Sequence, residues 1–453
     1  MKKSLTLKES ILVGSLLFGL FFGAGNLIFP VELGQQSGSN VILSTVGFLI
    51  SGVGLAVLGV IASAISKSDS LYEMAQPVSN NYAVFFTCLL YLTIGPFFAI
   101  HRTASVAFEV GVRAFFGDEN TSLLLLVFSG LFFIATLGFS LKPVKLIDTI
   151  GKYMTPIFLV LLSLLVIFSI FRPMGELGIG QTQERYIEVP LLKGLVDGYN
   201  TMDALAALAF AIIIITNIRN FGVTNPKDIA IETVKSGIFC IIGMGVVYTS
   251  LSFMGSTSSN IMEIGENGGI ILSNIANFYL DSTGKLLLAG IVIVACLKTA
   301  IGLITACSQM FVEMFPRLLS YKGYAVVFTL ISFLIANLGL SSIISLSLPV
   351  LMFLYPMAIV LILLSLFAGI VKRNSIIYKS TMGFTLIAAI FDFINAAPDL
   401  IKNNSTSQKL LEFGSYLPGF EIGFGWFVPS LIGFLIGVII VLINKKGNYS
   451  YRN

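Results

Sequence analysis

The chain has 453 residues, of which 56% are hydrophobic and 11% charged, with a formal net charge of +4. Soluble globular chains carry about 25% charged residues, so this composition excludes that class. His101 is the single histidine and the four cysteines all sit in apolar runs. That excludes a His-rich metal site, a C-x-x-C pair and a disulfide framework, and no Walker loop is present.

Apolar runs recur along the whole chain, at about 10–34, 41–66, 82–113, 121–141, 146–171, 190–217, 229–254, 283–312, 323–340, 343–371, 377–398 and 423–444. About 20 residues suffice to cross a ~30 Å hydrocarbon core, so they predict an all-α polytopic membrane protein of about 12 transmembrane helices. The start, MKKSLTLKES, has the basic flank of a secretory signal, but the parity of the topology requires it as a retained first span. With the N-terminus inside, alternate loops hold Lys2, Lys3, Lys8, Lys67, Lys142, Lys145, Arg219, Lys227, Arg317, Lys322, Lys372, Arg373, Lys379, Lys445 and Lys446. The opposite loops hold Asp118, Glu119, Glu263, Glu266 and Asp281. This positive-inside pattern predicts both termini on the cytoplasmic face.

The first run contains FGLFFGAGNLIFP, in which Gly23, Gly25 and Asn26 interrupt a helix in mid-span. Glycine costs about 1 kcal/mol against alanine in a helix, and asparagine competes for backbone hydrogen bonds. The sixth run, VDGYNTMDALAALAFAII, is interrupted likewise by Gly198, Tyr199, Asn200, Thr201 and Asp203. The two breaks lie five spans apart, and an odd repeat inserts its second copy upside down. Broken helices at matching places in inverted halves are a pattern of secondary transporters. Packing of small residues is the competing explanation, and Gly19 and Gly23 have the spacing for it. It accounts neither for Asn26 nor for the matched break.

Non-helical backbone at membrane depth is tolerated only where protein or a water-filled cavity covers it. One half-helix end offers N–H groups and a positive dipole end, the other free carbonyls and a negative end. That pair suits the carboxylate and ammonium of an amino acid, and the Phe-, Leu-, Ile- and Met-rich neighbours favour an apolar one. Two loops, 172–189 and 255–282, are longer than connection requires, and the second has the apolar stretches of an outer lid. Trp426 sits near the end of the last span, where interfacial aromatics are common, and Asp392 reads as a structural or interfacial residue outside the core.

FFGAGNLIFP, GPFFAIHRTASVAFE, GYNTMDALAALAF, ACLKTAIGLITAC, SLPVLMFLYP and GWFVPSLIGFLIG follow in chain order from the first span to the twelfth. Together they resemble the bacterial branched-chain amino acid:cation symporters, the BrnQ-type family. The resemblance implies a LeuT-like fold: a first five-helix repeat over 10–172, an inverted second over 188–372 and two peripheral helices over 376–444. It implies a single transporter domain in the bacterial cytoplasmic membrane, taking up leucine, isoleucine and valine with Na+ or H+ as coupling ion. It implies no cofactor, nucleic acid or obligate protein partner; the partners are the small substrate and the lipid bilayer. Carried onto this chain, Gly23, Ala24, Gly25 and Asn26 would hold the substrate's charged head, with Tyr199, Asn200, Thr201 and Asp203 opposite. Phe97 and Phe98 would shape the aliphatic pocket. The cation site would lie between Phe21 and Ala24 on one side and Ala295, Lys298 and Thr299 on the other.

Lys298 and His101 depart from that pattern, standing where the resemblance implies a hydroxyl and a proline. An ammonium cannot coordinate sodium, and a mid-membrane lysine costs at least ~2.5–3.5 kcal/mol by insertion scales. Either Lys298 has a structural role, or its ammonium fills the cation site and loads and releases a proton during transport. His101 is a proton relay or a hydrogen-bonded structural residue. Arg102 needs a partner inside the bundle, Asp203 or Glu109; Asp203 could equally face Lys298 or substrate. The alternative functions are a proton-coupled carrier of another small substrate, a non-transporting amino-acid sensor, a channel and an intramembrane enzyme. The last three lack, respectively, an output surface, a filter motif and a nucleophile–base–metal set.

Overall fold

The computed structural model describes residues 2–450 apart from 69, 117–120, 143–145 and 339. Asp118, Glu119 and Lys145, assigned above to loops, lie outside the described residues. The described chain is helical, with no strand among those residues. Its principal helices are α1 (Leu7–Phe21), α2 (Ala24–Gln36), α3 (Gly38–Ile65), α4 (Asn80–Gly111), α5 (Thr121–Ser140), α6 (Ile147–Phe171) and α7 (Pro190–Tyr199). They continue as α8 (Asp203–Asn220), α9 (Pro226–Ser258), α10 (Gly268–Met314), α11 (Tyr321–Ala336), α12 (Leu340–Leu366), α13 (Ser375–Ala396) and α14 (Phe427–Ser450). Among the described residues, 10 helices are long and apolar enough to cross a bilayer, or 11 if the bent pair α1–α2 is one span. The apolar helix α11, with 16 residues, is shorter than those.

Both anomalous runs are broken. A capping box starts α1, with the Glu9 amide donating to Thr6 Oγ1 at 3.3 Å and the Thr6 amide donating to Glu9 at 2.7 Å. Phe22 and Gly23 then turn extended, and α2 leaves at 72° to α1. In the other run Met202 adopts a left-handed conformation, φ 62°, which is rare for a non-glycine residue and stops α7. Thr201 serves both sides of this break. Its hydroxyl donates to Gly198 O at 2.8 Å and accepts from the Asp203 amide at 3.3 Å.

A third break lies in α4, which sequence reading treats as one rod over 82–113. Pro96 has no N–H to give, and Gly95 takes φ −87°, ψ −127°, so the ladder opens over Thr93–Phe97. In α10 a joint at Asp281, φ 47°, separates an arm from the long part of the helix. This arm occupies the region expected to form a lid, and it lies against α2. Gly268 N donates to Glu32 at 3.2 Å, and Gly265 N donates to Gln35 Oε1 at 3.0 Å.

Two helices span the breaks from outside. A Cβ on Gly14 or Gly34 would stand 2.8 and 2.1 Å from the carbonyls of Ser236 and Ser252, so α9 runs against both α1 and α2. A Cβ on Gly47 would stand 2.0 Å from Leu191 O and one on Gly59 3.1 Å from Ala207 Cβ, so α3 runs against both α7 and α8. Trp426, at the start of the last span, is 4% exposed and packs against Phe424 and Phe427.

Candidate functional site

The breaks of α1–α2 and α7–α8 meet at a small buried cavity of about 30 Å³. Of the residues expected from sequence, Phe21, Gly23, Ala24, Gly25, Asn26, Arg102, Thr201, Asp203 and Thr299 line it. Leu20, Ile94, Ala99, Thr103, Met202, Ala206 and Leu303 complete the wall. Most of these additions are apolar and therefore carry no distinguishing mark in the sequence.

Asn26 ties the two breaks together. Its Oδ1, from the third position of α2, accepts from the Gly23 amide at 3.0 Å, the return half of a capping box whose glycine has no side chain to give the other half. Its Nδ2 donates to Asp203 Oδ2 at 2.7 Å and to Tyr248 Oη, and the Tyr248 hydroxyl donates to the same carboxylate oxygen at 2.7 Å. Asn26 and Asp203 are 2% and 1% exposed, so these bonds replace water rather than compete with it. Tyr248, on α9, was not singled out from sequence. A hydroxyl-bearing aromatic in a run of apolar residues is its only signal there.

Arg102 does not pair with either carboxylate expected of it. Glu109 is engaged by Arg113, one turn along α4, and Asp203 by Asn26 and Tyr248. The guanidinium donates to Asn200 O at 3.1 Å and lies 5.6 Å from the Phe29 ring centroid. A carbonyl left free by the break thus takes the place of an acid. A Cβ on Gly25 would come within 3.1 Å of the same guanidinium, so the glycine lets positive charge approach the start of α2.

Lys298, 0% exposed, neither snorkels nor pairs with a carboxylate. Its Nζ donates to Gly19 O at 3.1 Å and Phe22 O at 2.5 Å, the freed carbonyls at the end of α1. The rings of Phe18, Phe22 and Phe158 surround it, with centroids 5.6, 5.5 and 4.6 Å away. Charge-assisted hydrogen bonds contribute about 1.5–3 kcal/mol each, so two of them offset an insertion cost of about 2.5–3.5 kcal/mol. Beside it, Thr299 Oγ1 donates to Leu20 O at 3.3 Å.

The remaining expected residues lie elsewhere. Phe97 is 44% exposed and Phe98 half-buried, and neither lines the cavity; the opened turn at Gly95–Pro96 sends Ile94 and Ala99 there instead. Tyr199 stacks on Tyr355 at 4.1 Å, and Asn200 presents its carbonyl to Arg102. Ala295 is buried in α10 off the cavity. His101 Nδ1 donates to Pro96 O at 2.9 Å and holds the break in α4. Asp392 is 3% exposed, with both oxygens lacking a hydrogen-bond partner among the described residues.

Two broken helices around one buried cavity define a membrane transporter of LeuT-like fold. Solved structures agree on the fold. Mhp1, a nucleobase-cation-symport-1 family transporter with bromovinylhydantoin bound, aligns with TM-score 0.59 at 12% identity, covering 96% of this chain and 93% of that one. MhsT in complex with L-phenylalanine aligns with TM-score 0.59 at 14% identity, covering 97% and 99%. The family model for branched-chain amino acid transport protein matches residues 6–444. The branched-chain amino acid permease BrnQ of Lactobacillus delbrueckii subsp. lactis is 45% identical, covering 98% of this chain and 100% of that protein. The branched-chain amino acid transport system 2 carrier protein of Pseudomonas aeruginosa is 38% identical, covering 95% of each. The chain belongs to the branched-chain amino acid transport protein family, whose members are transporters rather than enzymes.

Proposed function

We propose that this protein takes up leucine, isoleucine and valine across the bacterial cytoplasmic membrane by alternating access, with both termini cytoplasmic, and that it couples uptake to protons. Twelve spans carry the cycle, as five-helix repeats over 10–172 and 188–372 with two peripheral helices over 376–444. The contacts of α9 with both halves of the first broken span, matched by those of α3 with both halves of the second, support the inverted pairing.

The substrate carboxylate binds the first N–H groups of α2 and Arg102, since those amides have no partner within their own helix. Its ammonium faces Asp203, and Leu20, Phe21, Ile94, Ala206 and Leu303 receive the aliphatic side chain. The observation that carries the coupling is the seat of Lys298 on the carbonyls of Gly19 and Phe22, where a sodium ion would need oxygen ligands of its own. Protonated, the amine holds the end of α1 against α10; on losing its proton it loses a charge-assisted donor and releases that end.

The test is uptake of labelled leucine into proteoliposomes, with sodium replaced by choline across a pH range. Uptake should persist in choline and rise as the outer solution is acidified. Excess isoleucine or valine should block it, whereas lysine or glutamate should not. Strict sodium dependence without a pH response would overturn the proton, and absence of that competition pattern would overturn the substrate.

A further inference from the structure

We propose that a second, larger cavity is a staging site for a free aliphatic amino acid, whose ammonium is held by Asp392. The inference rests on the transport reading above. This cavity, of about 500 Å³, lies where α7 begins and α13 ends, on the proposed outer side. Asp392 lines it from α13. A carboxylate 3% exposed with neither oxygen bonded to protein among the described residues is costly unless a cation comes to it. Nearby, Thr385 and Ser430 on the two facing helices bond each other at 2.7 Å, whereas the buried Tyr199 hydroxyl and Trp426 Nε1 have no partner among the described residues.

The rest of the wall matches the rest of such a ligand. Arg185 and Lys402 bring positive charge for a carboxylate, and Val196, Leu348 and Met352 offer apolar surface for a branched side chain. Of the other charges on the wall, Lys193 pairs with Asp197 and Glu32 accepts from the Gly268 amide, while Glu421 is a second carboxylate on the same wall. The floor of this cavity is the roof of the first. Asn200 lines the larger cavity, while its carbonyl accepts from Arg102, which lines the smaller one. A molecule resting at Asp392 is therefore one break in α7–α8 away from the central site.

Reconstituted full-length protein carrying Asp392→Asn tests this. Loss of one charge-assisted hydrogen bond changes affinity roughly tenfold or more, so KM for leucine should rise about that much while the rate at saturating leucine is nearly kept. Isoamylamine, which keeps the ammonium but lacks the carboxylate, should inhibit the parent and lose potency against Asp392→Asn. As a measurement independent of that variant's folding, leucine should slow maleimide labelling of Asn395→Cys, above the background of the native cysteines. Unchanged KM in a folded Asp392→Asn carrier, or no protection of Asn395→Cys, overturns the proposal. So does a variant whose leucine KM is kept but whose response to sodium or potassium is lost, since Asp392 would then hold an inorganic cation. If the parent itself takes up no leucine, it is the transport reading that fails.

Discussion

Asn26 does two things that usually fall to separate residues: it caps α2, and it reaches across the cavity to Asp203 and Tyr248. Asn26→Ala and Tyr248→Phe should each lower leucine uptake. Their effects in the double variant should fall short of the sum, with a coupling of about 0.5–3 kcal/mol for residues in one network. Additive losses would show that the network does not act as a unit. Lys298 invites a sharper comparison. Arginine keeps a positive charge but does not release its proton, so Lys298→Arg should lose the pH response of uptake, and Lys298→Met should lose it too. If Lys298→Arg transports with the parent's pH profile, the lysine is a fixed charge. The polar members of this site stand out in the sequence because Asn26, Asp203, Arg102 and Lys298 are costly in lipid. Their partners do not, because the partners are largely backbone carbonyls, Asn200 O for Arg102 and Gly19 O and Phe22 O for Lys298, which no side-chain pattern records.

At the scale of elements, the breaks in the first and sixth runs are visible in sequence because glycine, asparagine and aspartate interrupt otherwise apolar helices. The break in α4 rests on Gly95 and Pro96 alone, and proline inside a membrane span does not by itself open one: Pro349 and Pro356 both sit within α12. Tertiary contacts decide, as when His101 takes up the freed Pro96 carbonyl. The close approach of α2 to α9 depends on Gly34 and Gly255, whose added Cβ atoms would stand 2.1 and 2.0 Å from Ser252 O and Val31 O. Backbone cannot yield as a flexible side chain can. Gly34→Ala should therefore destabilise by about 1–3 kcal/mol, read as a lower melting temperature in detergent. Gly245→Ala, with nothing within 4 Å of the new methyl, should leave that temperature unchanged or slightly raised. Equal melting temperatures for the two would refute the packing account.

For the whole molecule, the loop charges predict the orientation proposed above. Gln181→Cys, on an exposed part of the 172–189 loop, should react with a membrane-impermeant maleimide in intact cells, and Lys227→Cys only after permeabilisation. The reverse pattern would invert the vestibule and the direction of uptake with it. Composition suffices for the class of the molecule, a helical chain of many spans, because lipid imposes the same condition on every span, whereas nothing in the sequence marks the joint at Asp281. That joint has a mechanical consequence. The arm seated on α2 and the amine seated on α1 belong to one continuous stretch of chain, Gly268–Met314, with only Asp281 between them as a pivot. On the proposed coupling, a proton arriving at the buried end and an amino acid arriving at the covered end would therefore pull on the same lever, and neither event would be mechanically private.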